Sequence, residues 1–314
     1  MQIERLVPNT TDVGGIPIAR LLPNKDKQPI GAWCFLDHAG PARFGDDEDG
    51  MQVGRHPHTN LQTFTWMLDG EVLHNDSIGN HQIIRKNQVN LMTAGTGASQ
   101  GISHTEQSIF VETGGLSDVS RTLHAVQLWL ALPMDKQIER SFHHYPTLPT
   151  WTDNGVNFTL TTGSYQHNDS NYQAPTVQYS PSIALYVEFT NDSDIKLNLQ
   201  HGFEYGILVV TGELEFDGQT FVQDELARIV FDKSDNHLDN LTLTLWAKIG
   251  TRLMLIGGEP LHQPVLIWWN FVDKDKAGLE QSIIDWNNQH ERFGDIHIDM
   301  KHLVAPPLPD GFKG

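Results

Sequence analysis

RHPHTNLQTFTWMLDGEVLHND, residues 55–76, carries both the fold signal and the chemical signal of this chain. Leu61 to Leu68 is apolar and rich in Thr, Phe and Trp, Asp69-Gly70 turns it, and Glu71 to His74 returns toward a second turn at Asn75-Asp76. Short β-branched and aromatic runs closed by Asp-Gly read as hairpins of an all-β sandwich or barrel. The same arrangement returns in LVVTGELEFDGQ, residues 208–219, where Gly212 stands 142 positions after Gly70, about half the chain. A repeated β-domain is the simplest account.

Pro and turn residues gather in HHYPTLPTWTDNGV, residues 143–156, which marks the expected linker and gives domains 1–145 and 146–314. His143 and His144 are read as surface or linker residues. One helix is expected, in DKDKAGLEQSIIDWNNQHERFGD (273–295), with Leu279, Ile283 and Trp286 on one stripe and Gly294 near its end. Alternating β/α units are absent, which disfavours doubly wound and (β/α)8 architectures.

The chain has 314 residues and a formal net charge of −18, from 21 Lys+Arg against 39 Asp+Glu. Such acidity argues against direct nucleic-acid binding, which needs a basic face. The single Cys34 excludes an internal disulfide and reads as a small buried hydrophobe. No apolar run approaches a membrane span and the N-terminal residues lack a signal-type apolar core, so a cytoplasmic, soluble protein is expected.

With 16 histidines, a chance His-x-His is expected roughly 0.8 times per chain, so His56-Pro57-His58 alone means little. Its context raises it. Residues two apart in a strand project together, and a second such pair, His104-x-Glu106, follows the Gly-rich LMTAGTGASQG. Two strands each offering two donors into one barrel mouth would build a site of three imidazoles and one carboxylate. Gln62, Phe64 and Trp66 share the even-numbered face of the run that His56 and His58 open, and are read as candidate lining of a substrate pocket. Gly95, Gly97 and Gly101 lack the following Lys-Ser/Thr of a phosphate loop. Trp268-Trp269 reads as packing.

GGIPIARLLP (14–23), HPHTNLQTFTWMLDGEVLHNDSIGNHQIIRKNQVNLMTAGTG (56–97), GISHTE (101–106) and RLMLIGGEPLHQPVLIWWNFV (252–272) together resemble the pirin family of the cupin superfamily. The resemblance implies a bicupin: two face-to-face double-stranded β-helix (jelly-roll) barrels, with a short C-terminal helix, and metal only in the N-terminal barrel. It implies His56, His58, His104 and Glu106 as the ligands of one divalent metal, first of all Fe(II), with Ni, Co, Cu, Mn or Zn also compatible with the donor set. It further implies quercetin 2,3-dioxygenase activity on a small aromatic substrate and dioxygen, with Glu106 as catalytic base. The alternative is a redox-sensing iron protein that modulates a transcription factor or metabolic enzyme by protein contact. Two departures stand out: Gln62 replaces the family's usual Glu, and about three extra residues fall near Ala98-Ser99-Gln100. Shifting His56 and His58 by the repeat offset lands on Asn198 and Gln200, with His201 alone beside them, so the second barrel is expected to lack ligands.

Overall fold

The computed structural model describes residues 1–25, 28–110, 121–231 and 241–312. The regular structure is mostly β-strand, and the chain divides into two compact units. One unit, the leucine barrel, comprises Met1–Asn9, Ala19–Cys34 and Thr147–Leu261; the other, the histidine barrel, comprises Thr10–Ile18, Phe35–Pro146 and His262–Gly314.

In the histidine barrel a seven-stranded sheet runs in the order Ser141–Tyr145, Val89–Thr93, Leu61–Asp69, Thr122–Ala131, Trp33–Arg43, Ile16–Leu22 and Asn9–Val13. A four-stranded sheet contains Gln52–His58, Ile102–Ser108, Val72–Asp76 and His81–Ile84. Met67 and Ala125 of the large sheet pack with Val53 and Val72 of the small one, so the two sheets enclose a common core. The strand Leu61–Asp69 is buried on both faces, which its unbroken apolar and Thr-rich run permits.

The leucine barrel repeats the plan. Its large sheet runs Gln2–Leu6, Leu226–Val230, Glu204–Thr211, Arg252–Gly258, Ser182–Phe189, Val156–Thr162 and Thr150–Asp153. Its small sheet runs Ser193–Leu199, Leu241–Ala247, Glu213–Phe216 and Gln219–Val222. In Ser193–Leu199, Ile195, Leu197 and Leu199 are buried while Asp194, Lys196 and Asn198 are exposed. That period of two fixes the face, because a one-residue slip would put every leucine in water. Each such Leu contributes roughly 1.5–3 kcal/mol on burial.

The expected division at 145/146 needs correction at both chain ends. Residues Gln2–Leu6 supply an edge strand to Leu226–Val230, from Gln2 opposite Val230 to Leu6 opposite Leu226. The helix Lys276–Asn287 belongs to the histidine barrel, where Leu279, Ile283 and Trp286 join Phe271, Phe293 and Ala305 in one apolar cluster. Parallel bridges from Thr59 to Phe271 and from Arg55 to His302 tie that segment down. The helix begins as its sequence suggests, with Asp275 capping the Gly278 N–H at 2.9 Å.

The expected linker is mostly strand. Ser141–Tyr145 pairs with Val89–Thr93, and Thr150–Asp153 forms a hairpin with Val156–Thr162. His143 and His144 are therefore half-buried strand residues, and His144 Nδ1 lies 2.8 Å from Asn90 Oδ1. Cys34 is buried. Among the described residues no helix is long and apolar enough to cross a membrane.

Candidate metal centre

The small sheet of the histidine barrel brings the two sequence doublets together. His104 stands opposite His56, and His58 opposite Ile102. On the other side of the same strand, Asp76 opposes His104 and His74 opposes Glu106. Each i, i+2 pair projects to one face, so His56, His58, His104, Glu106, His74 and Asp76 form a patch on the barrel's interior. A register shift between His104 and Glu106 on the Gln52–His58 side sets Glu106 against Val53, one residue beyond the Gly54 that an unbroken ladder would place there.

The imidazoles converge. Donor atoms of His56, His58 and His104 all lie within 4.8 Å of one another, and the three residues are buried. His58 Nε2 and His104 Nε2 are 3.1 Å apart. Two nitrogens bound cis to one ion at about 2.1 Å would stand roughly 3.0 Å apart, so the spacing is that of two ligands sharing a metal. His56 Nδ1 lies 2.8 Å from the Gly54 carbonyl and His58 Nδ1 3.0 Å from the Asn270 carbonyl. Each carbonyl accepts the Nδ1 proton and leaves Nε2 with its lone pair, the form that ligates.

Charge state agrees. Burial lowers the His56 pKa from 6.5 to about 4, with the Gly54 bond opposing part of the effect. Burial first, and the neighbouring histidines second, hold His58 and His104 well below their ordinary value. All three are neutral at physiological pH, and the donor set fits a divalent transition metal.

Glu106 sits differently from the expectation of a simple quartet. It is partly buried and groups with His74 and His104, within the same 4.8 Å limit, rather than with His56 and His58. Burial raises its carboxyl above the ordinary range, against the pull of His74. His104 thus belongs to both trios. On sequence alone the strand ends at His74 and Asn75-Asp76 is a turn, whereas the strand runs Val72–Asp76; the signal for His74 is a third i, i+2 pair, His74-x-Asp76. Burial works against the Asp76 charge, but hydrogen bonds from His74 and Asn80 win and hold its carboxyl below the ordinary value.

Gln62, Phe64 and Trp66 need correction as pocket residues. They face away from the imidazoles. Opposed residues in antiparallel strands share a face, and Thr63 opposes both Trp129 and Met92. The Trp129 ring lies 5.0 Å from that of His58, while Met92 packs with Ile102 and Phe142. The Phe142 ring in turn stacks on His74 at 4.5 Å. Thr63 therefore points to the site, and Gln62, Phe64 and Trp66 to the opposite side, where Gln62 donates to Thr93 Oγ1 at 3.0 Å. The even-numbered face is interrupted at Asn60, whose left-handed φ of 55° turns the chain from the small sheet into the large one.

The interior walls are aromatic. Trp129 stacks on Phe35 at 3.9 Å, and with Phe142 these rings flank the histidines. At the extra residues, the Ala98 carbonyl accepts from Arg292 and Gln100 donates to Glu139, which fastens that loop.

In the leucine barrel the positions reached by the repeat offset, Asn198 and Gln200, are exposed, as is His201. The residues that face its interior are Ile195, Leu197, Leu199, Leu243 and Leu245.

Comparison with known proteins agrees with this layout. The Pirin family model matches residues 15–130, and the model of the pirin C-terminal cupin domain matches residues 184–294. A Pseudomonas aeruginosa protein named "Putative quercetin 2,3-dioxygenase" is 42% identical over 98% of this chain and 91% of its own length. A pirin-like protein of Caulobacter vibrioides is 31% identical over 95% and 96%. The crystal structure of a quercetin 2,3-dioxygenase from Acinetobacter baumannii superposes with a TM-score of 0.87 at 38% identity, covering 99% of this chain and 97% of that one. With both cupin halves matched and the histidine cluster in the first of them, the chain belongs to the pirin family.

Proposed function

We propose that this protein is a metal-dependent dioxygenase acting on a flavonol-type aromatic, with one divalent metal, first of all Fe(II), held by His56, His58, His104 and Glu106. The observation that carries the reading is the convergence of three neutral imidazoles, two of them with Nδ1 engaged by main-chain carbonyls and Nε2 free to ligate. The similarity to proteins named quercetin 2,3-dioxygenase supplies the substrate class. When bound, the metal supplies a Lewis-acid centre with open positions for the substrate hydroxyl and dioxygen.

The chain's own residues supply the rest. Glu106, with its carboxyl raised by burial, accepts the substrate's 3-hydroxyl proton on a carboxylate oxygen. Trp129, Phe35 and Phe142 offer flat apolar walls to an aromatic ring and exclude water around the imidazoles.

The test is direct. Protein loaded anaerobically with Fe(II) or Ni(II) and mixed with quercetin in air is expected to bleach the flavonol absorbance and release one carbon monoxide per substrate consumed. Turnover no greater than that of a His56→Ala control would overturn the reading.

A further inference from the structure

Three imidazoles face the proposed ion, but only two use the main chain to fix their tautomer. His104 instead places Nδ1 3.3 Å from Nδ1 of His74. Two ring nitrogens form a hydrogen bond only when one of them carries the proton. If His104 presents its Nε2 lone pair toward the ion, beside His58 Nε2, its proton lies on Nδ1. That proton is then donated to His74 Nδ1, and the proton of His74 lies on Nε2, 3.2 Å from Asp76 Oδ2. Asp76 ends the chain as acceptor. Its Oδ1 takes the main-chain N–H groups of Ile78 and Asn80, each at 3.0 Å, and the Asn80 amide donates to Oδ2 at 2.8 Å. The left-handed Gly79, φ 94°, lets the turn close round the carboxylate. All the donations run one way, and His74 and Asp76 are themselves buried, at 3% and 4% exposure.

From this ordered chain we propose that His74 is a positioning residue, which fixes the tautomer and tilt of His104 and couples it to the buried Asp76 carboxylate. The inference rests on His104 being a metal ligand and says how that ligand is prepared. The large sheet contributes the stacked Phe142 ring, which restrains His74 in the plane where both of its nitrogens find partners.

Zn(II) alone serves as the probe, on the full chain. In long-range 1H–15N spectra of the Zn(II)-loaded wild type, His104 is expected to be protonated at Nδ1 and His74 at Nε2. The zinc Kd, read by competition with a chelating dye, is expected to weaken about 10–100-fold in His74→Ala with stoichiometry unchanged. His74→Gln, whose amide oxygen can accept from His104 Nδ1–H, is expected to recover most of that loss; a residue needed only for packing would show no such rescue. An unchanged Kd in His74→Ala, or a metal-bound shift on a His74 nitrogen, overturns the relay while leaving the metal site standing. A wild type that takes up no zinc overturns both.

Discussion

The two barrels share a plan and differ in what they enclose. Each has a seven-stranded and a four-stranded sheet in corresponding order, and each turns its central hairpin on a glycine with φ 83°, Gly70 in one and Gly212 in the other. In the small sheet of one barrel the interior positions include His56, His58, His104 and His74; in the other they include Ile195, Leu197, Leu199, Leu243 and Leu245. Strand geometry demands only that inward side chains be satisfied. Leucines satisfy that by burying area, whereas each buried imidazole without a partner would cost about 1–3 kcal/mol. The histidine barrel therefore carries hardware for its imidazoles: the Gly54 and Asn270 carbonyls and the capped Asp76.

The largest expected effect separates the barrels by metal content. Wild type is expected to hold one metal per chain, His58→Ala almost none, and His201→Ala the wild-type amount, as read by elemental analysis of purified protein. Retention of metal by His58→Ala would erase the contrast.

A second difference concerns stability. Leu197→Ala is expected to cost about 2–5 kcal/mol in urea unfolding while metal uptake stays unchanged, because it empties part of an apolar core. Smaller, and internal to the repeat, is the glycine pair. A Cβ on Gly70 would meet the Thr122 carbonyl oxygen at 2.1 Å, whereas one on Gly212 would meet the Thr251 hydroxyl at 2.6 Å. Both substitutions carry the left-handed penalty of roughly 1–3 kcal/mol, and Gly70→Ala is expected to lower Tm further, since main chain yields less readily than a side chain.

The last difference is in pH dependence. The His56 pKa is lowered on folding to about 4, so between 6.5 and 4 the unfolded chain binds more protons than the folded one. Metal-free protein is expected to lose stability as pH falls through that window, and His56→Gln to flatten the profile. A His56→Gln profile as steep as wild type would remove His56 from the account.

Much of this was legible in residue spacing. Hairpin turns, the repeat, the helix stripe and both ligand doublets are local patterns, and local patterns survive folding. What misled was continuity across Thr59-Asn60: periodicity extrapolated through a left-handed residue assigns Phe64 and Trp66 to the wrong face. His74 was hidden for a different reason. Its i, i+2 pair with Asp76 stands in the sequence, but the strand register that sets it opposite Glu106 does not. The placement of Gln2–Leu6 and of the helix likewise depends on strand edges and apolar surfaces far away in the chain.

The Asn270 carbonyl that orients His58 has a consequence for timing. It lies 212 residues after the histidine it serves. At about 5–20 residues per second of synthesis, His58 waits roughly 10–40 s on the ribosome for its acceptor. The centre is completed late, so metal delivered to a nascent chain would meet an imidazole still free to turn.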